Sequence, residues 1–381
     1  MLPNIAIILP PKEHHSRHQK GAVALCMADF TRHSRYRDNT TFLGHTEADF
    51  GELNHYQVRD WQRWYWRDSR AYAHACAKWI RQHNITHVEV QNRPIIFQYL
   101  ARVLPDHIVL TLHLHNDIQE MRWFGSARAR QRLLNRASAV YCVSEYIRKR
   151  LLDGVKHHRE KAVVIHNGID TEHFLPQPKT RTILYVGRII REKGALPLAS
   201  ALTKIAAQLP DWNFIFCGVD RRNVVSDYER ATHHLLGQLG TQFHYTGYLD
   251  HSEVMQQFSR AEIALIPSVW QEPFGRTALE AMCAGSAVIT SGSGGLTEIV
   301  SGAEAGTGID AGVDTGLIVP ALADMDAFSD ALAAAILALA RDDVRRASIQ
   351  HLGRDRAVHA FDIRKQSRLL DDWRDRLQHN D

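Results

Sequence analysis

This 381-residue chain predicts two doubly wound α/β domains, and three observations point to them. Its length is about twice that of a usual domain. Short β-branched or apolar runs alternate with longer helical patterns from end to end, as parallel strands joined by crossover helices require. Between VVIHNGI and TILYVG the stretch HFLPQPKTR holds two prolines that break both periodicities, which marks a linker. The division that follows is a first domain over 1–175 and a second over 176–359, with a closing helix over 360–381.

Taken in order, the strand candidates of the first half are NIAIIL, THVEVQ, HIVLTLHL and AVYCVS. The opening MLPNIAIILPPKEHH is read as the first of these strands rather than an export signal, since no basic leader precedes it and no small-residue cleavage site follows. In the second half TILYVG, NFIFCG, QFHYTG, EIALIPS and SAVITS are strand candidates, each reaching a Gly, Ser or Pro where a strand hands over to a loop. An alanine-rich helix follows at ALAAAILALA. The last segment, FDIRKQSRLLDDWRDRLQ, spaces Phe361, Ile363, Leu369, Leu370, Trp373 and Leu377 as a helical stripe that must dock on another element.

Composition narrows the class. Apolar residues at 45% and charged residues at 23% describe an ordinary globular chain. No apolar run approaches the roughly eighteen residues of a membrane span. Cys26, Cys76, Cys142, Cys217 and Cys283 show no CxxC spacing and sit in apolar surroundings, so they are expected as buried thiols of a cytoplasmic protein. The net charge of +4 conceals an asymmetry: residues 1–175 carry 25 Lys+Arg against 17 Asp+Glu, and the remainder 21 against 25. A basic first half suits an anionic glycolipid or the cytoplasmic face of a membrane, or is simply a solvated basic surface. It has no clustered basic stripe or recognition motif, so no nucleic acid is expected as a partner.

The chemistry concentrates in the second half. In EPFGRTALEAMCAG, Glu272 and Glu280 stand on either side of a turn made by Pro273, Phe274 and Gly275. That leaves Glu272 in the loop and Glu280 about one and a half turns into the helix, so both carboxylates can face one ligand across the helix start. Carboxylates accept hydrogen bonds from sugar hydroxyls. The free amides of Gly275, Arg276 and Thr277 suit a diphosphate, aided by the helix dipole. GRIIREKG then follows TILYV directly, placing Arg188 and Lys193 at a strand's carboxyl end, where open α/β sheets bind ligands. Two cations there would neutralise a diphosphate and the charge that grows on it as a glycosidic bond breaks.

Together, HNGIDTEHF, YVGRIIREKG, QEPFGRTALEAMCAGSAVITSGSGGLTEIV and the closing helix resemble the family 4 glycosyltransferases, also called glycosyl transferases group 1. The resemblance is specific across residues 163–320 and looser before them. It implies the GT-B fold, with two Rossmann-like domains facing a central cleft. It implies retaining transfer of a hexose-type sugar from a nucleotide-diphosphate donor, UDP or GDP, to a glycan or glycolipid acceptor, with a role in lipopolysaccharide or surface polysaccharide synthesis. The donor would be a substrate, and no further cofactor is expected.

The resemblance also assigns residues. Glu272 would touch the transferred sugar and Glu280 the ribose, while Arg188 and Lys193 hold the diphosphate. Gly294, Gly295 and Glu298 would line the sugar-nucleotide side, and Tyr248 and Leu249 would cradle the base. In the first domain, which would bind the acceptor, Gly21 is the candidate for the turn that approaches the phosphates. His113 or His115, at the end of HIVLTLHLHND, would lie beside the transferred sugar. Alternation lets both point the same way, and His115 is favoured because HND looks like the strand's exit. Trp61, Trp64 and Trp66 would meet an acceptor sugar or a membrane interface, or be buried, with Trp79 in the core. The closing helix would cross back onto the first domain.

No metal is implied. The double aspartates Asp342–Asp343 and Asp371–Asp372 fall in helical regions, and no DxD-type pair stands at a strand end. Without a metal, Arg188, Lys193 and the helix start must carry the leaving diphosphate, with front-face attack and the departing phosphate oxygen taking the acceptor's proton. The alternatives are a nucleotide-sugar epimerase of the same architecture and a non-catalytic sugar-nucleotide-binding protein. A nicotinamide dehydrogenase is disfavoured, because no GxGxxG follows the first strand.

Overall fold

A computed structural model describes residues 2–13, 21–45, 49–59, 69–172, 176–219, 225–301 and 314–378. The chain divides into two compact units, Met1–Gly168 with Ile363–Asp381, and Ile169–Asp362. Trp61, Trp64 and Trp66 lie outside the described residues.

The first unit is built on a seven-stranded sheet of β1 (Ile5–Ile8), β2 (Thr40–Gly44), β3 (Asn54–Gln57), β4 (His87–Gln91), β5 (Val109–Leu114), β6 (Ala139–Cys142) and β7 (Ala162–Val164). Its order is β3-β2-β1-β4-β5-β6-β7, and the pairings are parallel. Helices α1 (Ala22–Arg32), α2 (Ser69–Gln82), α3 (Pro94–Val103), α4 (Ala127–Arg136) and α5 (Glu145–Leu152) make the crossovers. Every residue of β1, β4, β5 and β6 is buried, as a parallel sheet covered on both faces requires. Trp79 and Ile80 of α2 are buried too.

The second unit holds β8 (Thr180–Val186), β9 (Asn213–Cys217), β10 (Phe243–Gly247), β11 (Ala261–Ile266), β12 (Ala287–Thr290) and β13 (Leu317–Ile318), in the order β10-β9-β8-β11-β12-β13 and again parallel. Its helices are α6 (Ala195–Ile205), α7 (Asp227–Gly237), α8 (His251–Arg260), α9 (Arg276–Cys283), α10 (Leu296–Val300), α11 (Met325–Arg341) and α12 (Asp343–Phe361). All nine strands foreseen in the sequence are present, and both sheets reverse their strand order beside the first strand of the unit, the point where doubly wound sheets bind ligands.

The chain's last helix, α13 (Ile363–Gln378), belongs to the first unit. Ile363 and Leu370 enter the core that holds Ile5, Phe42 and Tyr141, while Trp373 and Leu377 pack at its edge. Leu369 of the expected stripe instead faces outward. A buried ionic cluster locks the helix in place. Arg374 forks onto Glu89 of β4 through Nε–Oε1 at 2.7 Å and Nη2–Oε2 at 3.0 Å, and also reaches Asp371 at 2.8 Å. Asp371 in turn accepts from Ser34 Oγ at 2.7 Å and the Arg35 amide at 2.9 Å. Burial alone would raise the Glu89 carboxyl, but the Arg374 guanidinium and then His113 hold it far below the usual carboxylate range. The five cysteines are all buried free thiols.

Candidate functional site

Three parallel strands of the second unit end at a shared rim. Gly187, after β8, donates its amide to Cys217 O at 3.0 Å, and Gly218 donates to Gly247 O at 2.7 Å. Gly218 has φ +128°, and a Cβ there would stand 2.1 Å from Gly187 O, so only glycine lets the two loops meet. Beside this rim is a cavity of ≈ 310 Å³ walled by Arg188, Cys217, Tyr248, Leu249 and Val254. Arg188, which the resemblance assigns to the diphosphate, and Tyr248 and Leu249, which it assigns to the base, thus line one apolar pocket at the strands' carboxyl ends. Tyr248 is 57% exposed.

The rest of GRIIREKG turns through Arg191–Lys193 and stops at Gly194, φ +69°, where a Cβ would meet Pro267 O at 2.0 Å. This contact seats the loop against the exit of β11. Ser268 Oγ lies 2.9 Å from Glu192 O and 2.7 Å from Glu272 Oε1. The Lys193 ammonium donates to the same Glu272 oxygen and stands 5.7 Å from the centre of the Trp270 ring. Glu272 is buried, and its backbone is clasped by Gly294 and Gly295: the Gly295 amide donates to Glu272 O at 2.7 Å, and a Cβ on Gly294 would fall 2.3 Å from that oxygen. The glycines of GSGGLTEIV therefore fix a loop carboxylate by close backbone approach.

Gly275, φ +101°, caps α9, and its missing Cβ leaves room for Leu296. Phe274 is buried with its ring edge-on to Phe361 at 5.9 Å, which pins the turn, and Arg276 and Thr277 open the helix. Glu280 follows one turn later. Its Oε1 receives Arg276 Nε at 2.9 Å and faces His251 Nε2 at 3.0 Å. Burial would raise this carboxyl, yet the His251 hydrogen bond and the Arg276 charge hold it below its ordinary value. Glu298 stands in the first turn of α10, with its amide on Gly295 O at 3.1 Å. Sequence reasoning missed Ser268 and His251. Their only signals were weak: a serine four residues before Glu272, and a histidine after the aspartate that caps α8.

Sequence reasoning also passed over Asp324–Met325–Asp326, which does have DxD spacing. Asp324 there caps α11 by accepting from the amides of Asp326 at 2.9 Å and Ala327 at 3.3 Å, a helix-start role.

In the first unit, His113 and His115 project to the same side of β5, their rings 6.5 Å apart and nearly parallel. His113 is buried in the ionic cluster, Nε2 3.3 Å from Glu89 Oε2, and packs on Tyr141. His115, at the strand exit, has Nε2 2.9 Å from Gln91 Oε1 and its amide on Asn92 Oδ1 at 3.2 Å. Burial, with His113 beside it, pushes the His115 imidazole down to about 3, so it is neutral at physiological pH. Gly21 caps α1, and the amides behind it, Val23 and Ala24, donate to Glu13 Oε1 at 3.0 and 3.2 Å. A Cβ on Gly21 would stand 2.0 Å from that carboxylate oxygen. The helix start expected to approach phosphate thus already holds an anionic side chain.

The comparisons with known proteins speak to family and fold. Residues 169–349 match the family model described as glycosyl transferases group 1, and residues 30–173 match that of Glycosyltransferase Family 4. Spore coat protein SA of Bacillus subtilis is 23% identical over 253 residues, 61% of this chain and 67% of that protein. The glycogen synthase of Mycobacterium tuberculosis is 28% identical over 218 residues, 54% of this chain and 51% of that one. The matched stretch therefore spans half to two thirds of such relatives. Among solved structures, Anabaena Alr3699/HepE in complex with UDP superposes with TM-score 0.76 at 20% identity, covering 98% of this chain and all of that one. At that identity the likeness speaks for the fold, which is GT-B: two Rossmann-like domains, with parallel sheets of seven and six strands.

Proposed function

Because the chain belongs to the family 4 glycosyltransferases, we propose that it is a retaining, metal-independent hexosyltransferase whose second unit holds a UDP- or GDP-sugar and whose first unit binds a glycan or glycolipid acceptor. The observation that carries the reading is the convergence of Lys193 and Ser268 on the Glu272 carboxylate, with Gly294 and Gly295 clasping its backbone. An oriented, buried carboxylate accepts hydrogen bonds from a sugar, and a cation bound to it is poised for the phosphate that leaves that sugar. A solvated turn needs neither feature.

In this reading the base enters the pocket of Tyr248 and Leu249, the ribose meets Glu280, and the diphosphate sits among Arg188, Lys193 and the amides at the start of α9. As the glycosidic bond breaks, the electron pair goes to the phosphate oxygen, and the two cations stabilise the growing charge. The acceptor hydroxyl attacks the same face and gives its proton to that departing oxygen, so no protein carboxylate becomes a nucleophile. His115 is assigned to the sugar in preference to His113, whose ring is committed to the Glu89 cluster. UDP is supported by the bound nucleotide of the Anabaena neighbour. A place at the cytoplasmic face of the inner membrane, in lipopolysaccharide or surface polysaccharide assembly, suits the basic first half. No helix among the described residues is long and apolar enough to cross a membrane.

A thermal-shift screen against UDP-, GDP- and ADP-sugars tests the proposal. One nucleotide class should raise the melting temperature in a concentration-dependent way. No shift from any of them at millimolar concentration would refute it.

A further inference from the structure

The face of the first unit formed by α3 and α4 carries a groove that the donor chemistry does not use. Two cavities, of ≈ 350 and ≈ 570 Å³, share Gln98 and Arg102 in their walls. Together the walls contain Arg70, Arg102, Arg122, Arg132 and Arg136, and no acidic residue. Among the described residues Arg102, Arg122, Arg132 and Arg136 meet no carboxylate. Other arginines of this unit do meet carboxylates, as Arg35 does with Asp372 and Asp375 and Arg150 with Asp117. Four unneutralised guanidinium groups along one concave surface repel one another and favour an anion, which they can grip in pairs of parallel hydrogen bonds.

Trp123 gives a second, independent observation. It stands at one end of the groove, 64% exposed, with φ +73°, a conformation that a bulky residue adopts only under constraint. The constraint is visible. Buried Arg130 donates to Phe124 O at 3.1 Å and Gly125 O at 2.6 Å on one side, and to Leu151 O at 3.0 Å and Asp153 O at 2.6 Å on the other. Phe124 is itself buried. The fold thus uses a buried arginine and a buried ring to hold an indole out in solvent, backed by the Arg122 guanidinium 4.2 Å from its centre. The loop that carries Trp123 leaves β5 at His115.

We propose that this groove binds an anionic glycan, the acceptor or its growing end, with carboxylate or phosphate groups on Arg102, Arg132 and Arg136 and a sugar ring stacked on Trp123. The inference rests on the assignment of the first unit to the acceptor and adds the acceptor's charge. A concave surface with one exposed aromatic side chain fits a discrete chain better than a lipid bilayer, which calls for a contiguous apolar patch.

The test is calorimetric titration of the full chain with three probes: a galacturonic acid hexamer, neutral maltohexaose, and phosphatidylglycerol vesicles. The charged hexamer should bind, with affinity falling as salt rises, and maltohexaose should bind at least about tenfold more weakly. The Arg102→Gln/Arg132→Gln variant should lose at least about tenfold in hexamer affinity, while Arg132→Lys loses less because it keeps the charge. Trp123→Gly should weaken the hexamer without lowering the melting temperature, since glycine accepts the positive φ. Equal binding of both hexamers, unchanged affinity in the variants, or capture by vesicles with no hexamer binding would each overturn the proposal. Titration with UDP and GDP, which these substitutions should leave unaltered, tells failure of the groove from failure of the donor assignment.

Discussion

Replacing Lys193 by alanine separates transition-state stabilisation from simple capture of the donor. In the free protein its ammonium bonds to Glu272 Oε1, with the two side chains 27% and 9% exposed. At this partial burial, removal leaves a carboxylate with Ser268 as its remaining side-chain donor at 2.7 Å. Loss of one charge-assisted contact where charge develops costs about 3 to 4 kcal/mol, or roughly a hundredfold to a thousandfold in rate. We therefore expect kcat to fall by that factor while the affinity for intact nucleotide sugar falls much less. The free nucleoside diphosphate carries more negative charge than the sugar-bearing form, so its affinity should fall further than the donor's. Initial rates, with calorimetric titration of both ligands into wild type and Lys193→Ala, read these quantities. If kcat and both affinities stay within about twofold, a margin under roughly 0.5 kcal/mol, the loop is an ordinary turn and the diphosphate lies elsewhere.

Further outcomes follow from the same geometry. Glu272→Gln should mainly lower kcat and Glu280→Gln mainly raise the donor KM, because sugar contacts tighten in the transition state and ribose contacts do not; steady-state kinetics that leave both unchanged would refute the assignment. Activity should survive excess EDTA, and its loss with rescue by manganese would contradict the roles given to Arg188 and Lys193. Arg374→Met should destabilise the protein by about 3 to 5 kcal/mol in denaturant titration by leaving Glu89 buried without its partner, and Glu89→Leu in the same chain should recover much of the loss. Burial holds His115, His87 and His55 below the ordinary histidine range, so the unfolded chain binds these protons more tightly than the folded one. Stability should therefore fall as pH drops through about 6.5, with Glu89 adding to the loss below about 4.5, and His115→Asn should flatten the melting-temperature profile between pH 7.5 and 5.

The sequence made the fold legible wherever a strand is buried on both faces. IAII, VLTLHL and AEIALI are near-continuous apolar runs, and each became a central strand. The strands it missed are β2, β3, β7 and β13. NHYQ of β3 is half-exposed at a sheet edge, and β13 is a two-residue pairing, so neither carries a period to read. TTFLG opens on two threonines and closes on glycine, leaving only two apolar residues in a row, and AVV is only three residues long. At the site, Glu272, Gly275 and Glu280 were legible because the carboxylates and the turn share one contiguous stretch. Ser268 and His251 were not, since their roles depend on pairings across the sheet and between helices that no local spacing encodes. The Glu89–Arg374 fork joins residues 285 positions apart and was equally invisible, although the stripe of α13 announced that the helix had to dock.

The most direct test of retaining, metal-free transfer is the anomeric configuration of the product, read by proton NMR from the coupling of the transferred sugar's H1. The reaction would be run in EDTA with the α-configured donor that the thermal-shift screen selects, using the glycosylated acceptor or, with water as acceptor, the first sugar released. An α-configured product is the predicted result. A β-configured product, or product formed only when a divalent metal is restored, would contradict front-face transfer supported by Arg188, Lys193 and the start of α9.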